Sequence, residues 1–306
     1  MRVAGVADIG GTNTRVALVR EDGMILSVER FKTPAGTDPG EVAARVGASL
    51  SDLAGGSGTD LCGIGVSVAG PVDLKTGCIS NPPNMPFDQV SVVTPLIELF
   101  GLPVTLMNDC RAAVLGEVFA GAGRGYRHVV YITISTGIGG GVFTDGKVLL
   151  GRGGNAGEIG HFTVESAYSQ PCSCGCFGHW EGCASGRGIP SFFRTWCRVH
   201  GHTPHKSLTT VEEILNAASQ GEQLALEFSG VLAMVNSRGL STVIVAYDPE
   251  IIILDGPIVT AHRETIVDSA VRCLDTYLET PVIVVSPLGG NAPLLGVAAA
   301  VFSREV

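Results

Sequence analysis

The sequence has few charged residues, and fewer basic than acidic ones. Asp, Glu, Lys and Arg make up 16% of its 306 residues, and 20 Lys and Arg against 29 Asp and Glu leave a net charge of −9. We therefore expect no nucleic-acid partner and no anionic membrane partner. There is also no apolar run of the roughly 18 residues that a membrane helix needs. The 45% of hydrophobic residues is ample for a buried core.

A secretion signal and a disulfide framework are missing as well. Asp8 interrupts the N-terminal segment before an apolar signal core could form. Nine cysteines are an odd number, and four of them lie between Cys172 and Cys183. This clustering favours a local metal or redox site in a reduced, cytoplasmic protein.

Glycine is in excess, at 42 of 306 residues, and it concentrates in loops. Val3–Ala7 predicts a strand that leads into the glycine-rich segment Asp8–Asn13. The same order returns near the middle of the chain, where the predicted strand Val129–Ile134 leads into Ser135–Gly141. The repeat predicts two related halves, each headed by a glycine-rich β-hairpin.

Each half also contains an Asp-Gly pair, at Asp22-Gly23 and Asp145-Gly146, which predicts a hairpin turn with two positive φ angles. Strand-type sequence follows both glycine loops, whereas a dinucleotide fold places a helix there. A Walker motif, G-x-x-x-x-G-K-[ST], is absent. Strands alternate with helical segments along the chain, so the fold class is α/β. We expect Gly55–Gly58 to be a mobile loop and His262–Tyr277 to be an amphipathic helix.

Asp8 ends the first predicted strand, where an ionised carboxylate needs a cation or hydrogen-bond donors. We expect it to face Mg²⁺, while an Asx turn that caps the hairpin is the alternative. The related loop, with Thr136 and Gly137, favours a second phosphate clamp on the opposite side. The backbone N–H groups expected around the first phosphate belong to Gly10, Gly11, Thr12 and Asn13.

Asn108 and Asp109 lie between the predicted strand Val104–Met107 and a predicted helix. Asn and Asp are preferred helix N-caps, which is one interpretation. In the other, Asp109 is a general base that accepts the proton of an attacking hydroxyl during phosphoryl transfer. The residues alone leave these two interpretations even.

A short segment supplies soft and borderline metal ligands. Cys172, Cys174 and His179 are closely spaced, and His161 completes a tetrahedral set. Thiolates with imidazoles select zinc over hard cations. A redox pair is less consistent with the sequence, because C-x-x-C spacing is absent.

Two late turns are candidates for an adenosine pocket. They contain Gly256 in Asp255-Gly256-Pro257, and Gly290 and Asn291 in Leu288–Asn291. Each is also consistent with a simple turn between a strand and a helix.

In this order, the motifs resemble the ROK (repressor, open reading frame, kinase) family of sugar kinases, within the actin/hexokinase-like ATPase superfamily. The resemblance covers nearly the whole chain and includes Pro83-Asn84 and Gly157–His161. It implies a ribonuclease H-like fold of two α/β lobes, with ATP and sugar in the cleft. We expect one lobe at 1–117, joined by a C-terminal helix at 291–306, and another at 118–290 with a zinc loop at 161–181.

The resemblance also implies an activity, the phosphorylation of a hexose by ATP with Mg²⁺, with glucose 6-phosphate as the leading product. Asp109 resembles the general base of the family. A structural Zn²⁺ would order the loop that carries Glu181, with one ring nitrogen of His161 on the metal and the other toward the sugar. The family normally has cysteine at the position of His179, so Cys176 is an alternative fourth ligand. The residues that resemble the family's sugar-binding set are Asn84, Asn108, Asp109, Glu158, His161 and Glu181.

Other functions remain open from the sequence. Ala184–Gly188 also resembles N-acetylmannosamine and N-acetylglucosamine kinases, and a fructokinase is the third candidate. A non-catalytic sugar sensor is a different class, although the presence of Asp8 and Asp109 favours an enzyme. The repressors of the family have a DNA-binding region before the first strand, which begins here at Val3, so we expect none. The resemblance implies a homodimer or homotetramer.

Overall fold

Thirteen strands and ten α-helices are present in the part of the chain that the structure describes. The structure is a computed structural model, and it describes residues 1–80, 87–203, 206–275 and 277–303. The strands are β1 (Val3–Ile9), β2 (Asn13–Arg20), β3 (Ile25–Lys32), β4 (Ile64–Val68), β5 (Val72–Asp73), β6 (Cys78–Ser80), β7 (Gln89–Ser91), β8 (Val104–Asn108), β9 (Val129–Ile134), β10 (Ile138–Thr144), β11 (Lys147–Val148), β12 (Ile251–Asp255) and β13 (Val282–Val285). The helices are α1 (Glu41–Ser57), α2 (Val93–Phe100), α3 (Asp109–Ala120), α4 (Trp180–Ala184), α5 (Gly188–His200), α6 (Val211–Ser219), α7 (Gln223–Tyr247), α8 (Pro257–Ala261), α9 (Ser269–Val271) and α10 (Ala292–Ser303).

The two large sheets have the same strand order, which confirms the predicted repeat. The first is β3-β2-β1-β4-β8 and the second is β11-β10-β9-β12-β13. In the first sheet β1, β2 and β3 are antiparallel, and β1, β4 and β8 are parallel. In the second, β10 and β11 are antiparallel, and β9, β12 and β13 are parallel. The small strands β5, β6 and β7 form a separate antiparallel sheet.

The first sheet is buried on both faces. Alternate residues of β1 point to opposite sides, so Ala7 and Ile9 join a core with α1 and α2, whereas Ala4 and Val6 join a core with residues of α3 and α10. Helices on both faces are typical of α/β proteins with parallel strands. The predicted α/β class is therefore confirmed.

The two Asp-Gly turns differ. Asp145 and Gly146 both have positive φ, at 51° and 82°, as predicted for a two-residue hairpin loop. At the other turn only Gly23 has positive φ, at 88°, and the amide of Arg20 donates to the carbonyl of Met24. This loop has three residues with glycine at the left-handed position, so the prediction of two positive angles was wrong there.

Three other expectations need correction. Ile138–Gly141 belongs to β10 rather than to the predicted loop. Glycine is needed at position 140 because a side chain there would overlap Ile159. The expected mobile loop at Gly55–Gly58 is the last turn of α1, and Gly58 caps it with a φ of 61°. The helix expected over His262–Tyr277 is a π-helical segment, Glu264–Asp268, followed by the short α9.

The chain divides into two compact units. The first contains 1–127, 141–156 and 286–306, and the second contains 128–140 and 157–285. The sequence analysis placed 118–127, 141–156 and 286–290 with the later lobe. In the structure α3 continues past residue 117 to Ala120, and a side chain at Gly141 would overlap the carbonyl of Cys110. Both observations agree with the place of these segments in the first unit.

Helix α7 is long and apolar enough, by length and composition, to span a membrane. The search for apolar runs in the sequence did not predict this. However, 56% of its most apolar stretch is buried, and the helix packs against α4 and α6 within the second unit. Its apolar composition is therefore accounted for by its position in a core.

Helices α3 and α10 approach each other at two glycines. A Cβ on Gly116 would overlap the carbonyl of Ala292, and a Cβ on Gly296 would overlap the carbonyl of Ala112. The atoms that would be displaced belong to the backbone, which cannot move aside as a flexible side chain can. Close backbone contact between these helices thus requires glycine at both positions.

We predict that Gly296→Ala lowers the free energy of unfolding by about 3 kcal/mol or more, because the added methyl group forces the two helices apart. The measurement is the urea unfolding midpoint followed by circular dichroism. Gly230→Ala, at an exposed helical position of α7 with nothing near its Cβ, is the control. It should be neutral or stabilise by about 0.5–1 kcal/mol. Equal midpoints for the two variants would contradict the overlap.

Candidate functional site

Three parallel strands of the first sheet end side by side. The register aligns Asp8 of β1 with Ser67 of β4, and Val68 with Asn108 of β8. Asp8 and Asp109 therefore lie at the carboxyl edge of the same sheet. This is the edge at which α/β sheets bind ligands, because loops and helix N-termini gather there.

The carboxylate of Asp8 is held by a cation and a hydroxyl. Its Oδ2 accepts from Nη2 and Nε of Arg15, at 2.6 and 3.2 Å, and its Oδ1 accepts from Oγ of Ser67 at 2.9 Å. Arg15 also donates to Oδ1 of Asn291 at 3.4 Å. The side chain of Asp8 thus points toward Arg15, which the sequence analysis did not single out. Arg15 precedes an apolar run in β2, and a basic residue beside buried strands was the available signal.

The turn after Asp8 uses part of its own hydrogen-bonding capacity. The amide of Gly10 donates to the carbonyl of Asn13 at 3.0 Å and so closes the hairpin. The expected role of the Gly10 N–H as a phosphate donor is therefore wrong in this structure. Thr33, which follows β3, fixes the turn, because its hydroxyl donates to the Gly10 carbonyl at 2.7 Å and its amide donates to the Thr12 carbonyl at 3.0 Å. The side chains of Thr12 and Asn13 are exposed.

Asn108 is the N-cap of α3, as one of the two interpretations required. Its Oδ1 accepts from the amides of Cys110 and Arg111 at 3.0 and 3.4 Å, and its Nδ2 donates to the carbonyl of Gly70 at 3.1 Å. Because Asn108 satisfies the cap, Asp109 is the first residue of the helix. The carboxylate of Asp109 is half-buried and accepts from the amide of Cys110 at 2.8 Å. An acid in the first turn is favourable for the dipole of α3.

The second unit brings the four predicted metal ligands together. The ligand atoms of His161, Cys172, Cys174 and His179 all lie within 4.8 Å of one another. The two Nδ1 atoms are 3.3 Å apart, Cys172 Sγ is 3.8 Å from His161 Nδ1, and Cys174 Sγ is 3.3 Å from His179 Nδ1. Cys176 is exposed and is not in this group. The structure thus groups His179, rather than Cys176, with the other three ligands.

A buried tryptophan fixes the segment between the cluster and α4. Trp180 is fully buried, and its Nε1 donates to Oδ1 of Asn236 at 2.8 Å. A Cβ on Gly239 would overlap the indole ring. Trp180 thereby determines the positions of its neighbours His179 and Glu181. The sequence analysis missed this role, although Trp180 is one of only two tryptophans.

The remaining cysteine of the segment has a different environment. Cys183 is fully buried, and this burial, with the nearby carboxylate of Glu165, raises the pKa of its thiol to about 12. Cys183 is therefore a protonated core residue. Glu165 is itself buried and accepts from the amides of Ala167 and Tyr168, which fixes the start of the loop that leads to the cluster.

Glu181 connects the segment of the cysteine and histidine cluster with the strand that follows the glycine loop. Its Oε1 accepts from the hydroxyl of Ser173 at 2.5 Å, and its Oε2 accepts from the amide of Ile138 at 3.1 Å. Glu158 has an exposed side chain, and its carbonyl accepts from the amide of His161 at 3.1 Å. Asn84, the other expected sugar ligand, lies outside the described residues.

A cavity of about 440 Å³ lies within the second unit. It contains Thr136 of the glycine loop and Pro257, which follows Gly256. The amide of Gly186 donates to the carbonyl of Ser135 at 2.7 Å and holds the loop at the cavity wall. The lining residues are Ser135, Thr136, Gly186, Arg187, Pro190, Thr209, Thr210, Val211, Glu212, Pro257 and Ile258.

The two late turns belong to different units. Gly256 has a φ of 107°, and a Cβ there would overlap the carbonyl of Ile134, so only glycine fits this turn beside β9. Gly290 has a φ of 77° and open space around it. Asn291, in the first unit, accepts the hydrogen bond from Arg15 described above.

Comparisons with known proteins agree with this architecture. The ROK family pattern matches residues 3–304. The chain is 37% identical to a glucokinase of Pyrobaculum calidifontis over 274 residues, which cover 89% of this chain and 84% of that one. A ROK hexokinase structure from Thermus thermophilus has a TM-score of 0.84 and 29% identity, with 99% and 98% of the two chains covered. A ROK glucokinase from Streptomyces griseus, in complex with glucose and AMPPNP, has a TM-score of 0.76 and 28% identity, with 97% and 98% covered.

We predict that Asn108→Ala lowers the free energy of unfolding by about 1–2 kcal/mol, because two helix amides lose their acceptor. Asn108→Asp should retain most of the stability, since a carboxylate is also a good N-cap. Thermal unfolding of the purified variants measures both. Asn216→Ala, at an exposed position inside α6, should change stability by less than about 0.5 kcal/mol. An Asn108→Ala variant as stable as the parent would contradict the capping role.

Proposed function

Because the chain belongs to the ROK family, we propose that it is a hexose kinase that transfers the γ-phosphoryl group of ATP to glucose. The observation that carries this function is the shared sheet edge of Asp8 and Asp109. It places one carboxylate after the glycine turn and a second at the N-terminus of α3. The similarity to glucokinases over most of the chain supports glucose as the acceptor.

We assign Asp109 as the general base. In the transfer, Asp109 accepts the proton of the sugar O6 hydroxyl while O6 forms a bond to the γ-phosphorus. The bond between that phosphorus and the β,γ-bridging oxygen breaks, and ADP leaves with the electron pair. A half-buried carboxylate at the sheet edge is suited to this role.

The sugar would be oriented by two carboxylates, which accept hydrogen bonds, and by the imidazole ring of a histidine. Glu158 and Glu181 each offer a carboxylate that can accept from hydroxyl groups. His161 uses Nδ1 within the metal cluster, so its Nε2 is the nitrogen left for the sugar. Asn108 and Asn84 complete the proposed set. A ligand without the matching hydroxyls would leave these acceptors unpaired.

The phosphates would be bound by the two glycine turns. We assign Gly11, Thr12 and Asn13 of the first unit and Thr136 and Gly137 of the second unit to phosphate binding. Gly256, Gly290 and Asn291 would contribute to the adenosine site.

Asp8 fits the Mg²⁺ that accompanies ATP, because Mg²⁺ prefers oxygen ligands such as carboxylates. Each carboxylate oxygen of Asp8 has further lone pairs besides those that accept from Arg15 and Ser67. When bound, Mg²⁺ neutralises the charge that develops on the phosphates.

The four-residue cluster fits Zn²⁺. Bonds of about 2.3 Å to sulfur and 2.0–2.1 Å to nitrogen, in a tetrahedron, separate the ligand atoms by roughly 3.3–3.8 Å. The three separations given above, 3.3, 3.8 and 3.3 Å, lie in this range. Two thiolates and two neutral imidazoles make the zinc site formally neutral, which suits a structural site. Zn²⁺ would order the segment that ends at Glu181, without taking part in the transfer.

A panel of sugars tests the acceptor. Glucose should give the highest kcat/KM with ATP and Mg²⁺, ahead of N-acetylmannosamine, N-acetylglucosamine and fructose. A non-catalytic sugar sensor would bind a sugar and release no ADP. Nine cysteines without a disulfide and the use of ATP support a cytoplasmic enzyme. Light scattering would measure the proposed dimer or tetramer.

We predict that Asp109→Asn lowers kcat by about 10²- to 10⁴-fold, because the amide cannot accept the O6 proton. Glucose affinity should change by less than about tenfold, since the amide retains hydrogen-bonding capacity. Coupled ADP release and calorimetric glucose titration measure the two effects. Asp52→Asn, at an exposed position of α1, should leave both unchanged. Turnover near that of the parent would remove Asp109 from the base role.

We also predict that protein purified without a chelator contains one zinc ion per chain. Inductively coupled plasma mass spectrometry measures the zinc content. Cys172→Ser should lose the zinc and weaken glucose binding by about tenfold or more, because Glu181 is no longer ordered. Cys176→Ser should keep both properties. A zinc-free parent protein that binds glucose would contradict the zinc site. Loss of zinc in Cys176→Ser would show that Cys176, rather than His179, is the fourth ligand.

A further inference from the structure

The cavity of the second unit has two charged residues that the proposed transfer does not use. The glycine loop enters its wall through Ser135 and Thr136, and the start of α6 enters through Thr209–Glu212. A volume of about 440 Å³ is within the range of small-ligand pockets. Arg187 and Glu212 are the charged side chains of the lining among the described residues.

Two adjacent glutamates at this end of α6 have different roles. Glu213 accepts from the amide and hydroxyl of Thr209 and from the amide of Thr210 at 2.9–3.0 Å, and these donors lower its pKa to about 2. The hydroxyl of Thr210 in turn accepts from the amide of Glu213, which completes a capping box. Glu213 and the two threonines are therefore committed to the helix start. Within the described part of the chain, the carboxylate of Glu212 makes no such bond and lines the cavity.

The chemistry of a carboxylate restricts which part of a nucleotide it can contact. A carboxylate only accepts hydrogen bonds and repels phosphate groups. A ribose ring offers two adjacent hydroxyl donors, which a carboxylate can bind with its two oxygens. Adenine offers a single amino group as a donor. The ribose diol is thus the best match for Glu212 in a cavity that also contains the phosphate-binding loop.

We propose that Glu212 binds the 2′- and 3′-hydroxyls of the nucleotide ribose and selects ribonucleotides over deoxyribonucleotides. The proposal rests on the proposed function, because it takes ATP as the phosphoryl donor. It assigns a specificity-determining residue to the cavity, with Thr136 on the phosphate side of the same ligand. An acid in the first turn also stabilises a helix, so the test must separate ligand binding from stability.

Calorimetric titration with ADP and with 2′-deoxy-ADP, at fixed Mg²⁺, tests the assignment. The parent protein should bind ADP about tenfold more tightly than 2′-deoxy-ADP, as expected for one hydrogen bond to a charged group. Glu212→Ala should bind the two nucleotides with affinities within about twofold. Glu212→Gln should discriminate to an intermediate degree, since its amide offers a single acceptor oxygen. Glu227→Ala, an exposed glutamate of α7, should discriminate as the parent does.

The outcomes are distinct. Unchanged discrimination in Glu212→Ala, or equal binding of both nucleotides by the parent, would overturn the ribose contact. If Glu212→Ala changed the preference for ADP over inosine diphosphate and kept the preference for ADP over 2′-deoxy-ADP, the ribose contact would also be overturned. Such a result would indicate a contact with the base. Glucose phosphorylation by the parent is measured in parallel, so that a failure of the kinase function is recognised separately. A melting temperature within about 2 °C of the parent for Glu212→Gln excludes a purely structural effect.

Discussion

The parallel alignment of β1, β4 and β8 is the constraint on which the first unit depends. Because residues at aligned positions of parallel strands lie at the same level, Asp8 reaches the sheet edge beside Ser67, and Asn108 follows one residue further on, beside Val68. A shift of one residue in this register would turn the side chain of Asp8 to the other face of the sheet. The glycine turn and α3 both start at this edge, so the geometry of two functional segments follows from one pairing.

Much of the fold could be predicted from local sequence patterns. The repeat of strand, glycine turn and hairpin is present in both large sheets. It could be predicted because apolar runs and Asp-Gly pairs determine structure over short distances along the chain. Gly139–Gly141 could not be interpreted locally. Glycine permits both a loop and close packing, and only the neighbouring segments show that packing applies to Gly140 and Gly141. Gly55 and Gly56 also could not be assigned locally, because they extend α1 with open space around them.

The candidate site shows the same division. The grouping of His161, Cys172, Cys174 and His179 could be predicted from residue type and spacing, since thiolates and imidazoles have few other reasons to cluster in a polar loop. Partners that come from distant segments were not found. Arg15 contacts Asp8 across a hairpin, and Trp180 is fixed by Asn236 on α7. Such pairs are determined by tertiary packing, which residue spacing along one segment does not encode.

The contact between Gly116 and Gly296 has a consequence for biosynthesis. Helix α3, whose first residue is Asp109, is covered by the last helix of the chain, and the first unit recruits segments from the start, middle and end of the sequence. One face of its sheet consequently stays uncovered while the chain is still on the ribosome. The apolar residues that α10 will cover, such as Val6 and Ala17, are exposed to chaperones until Ala292–Ser303 has emerged from the ribosome.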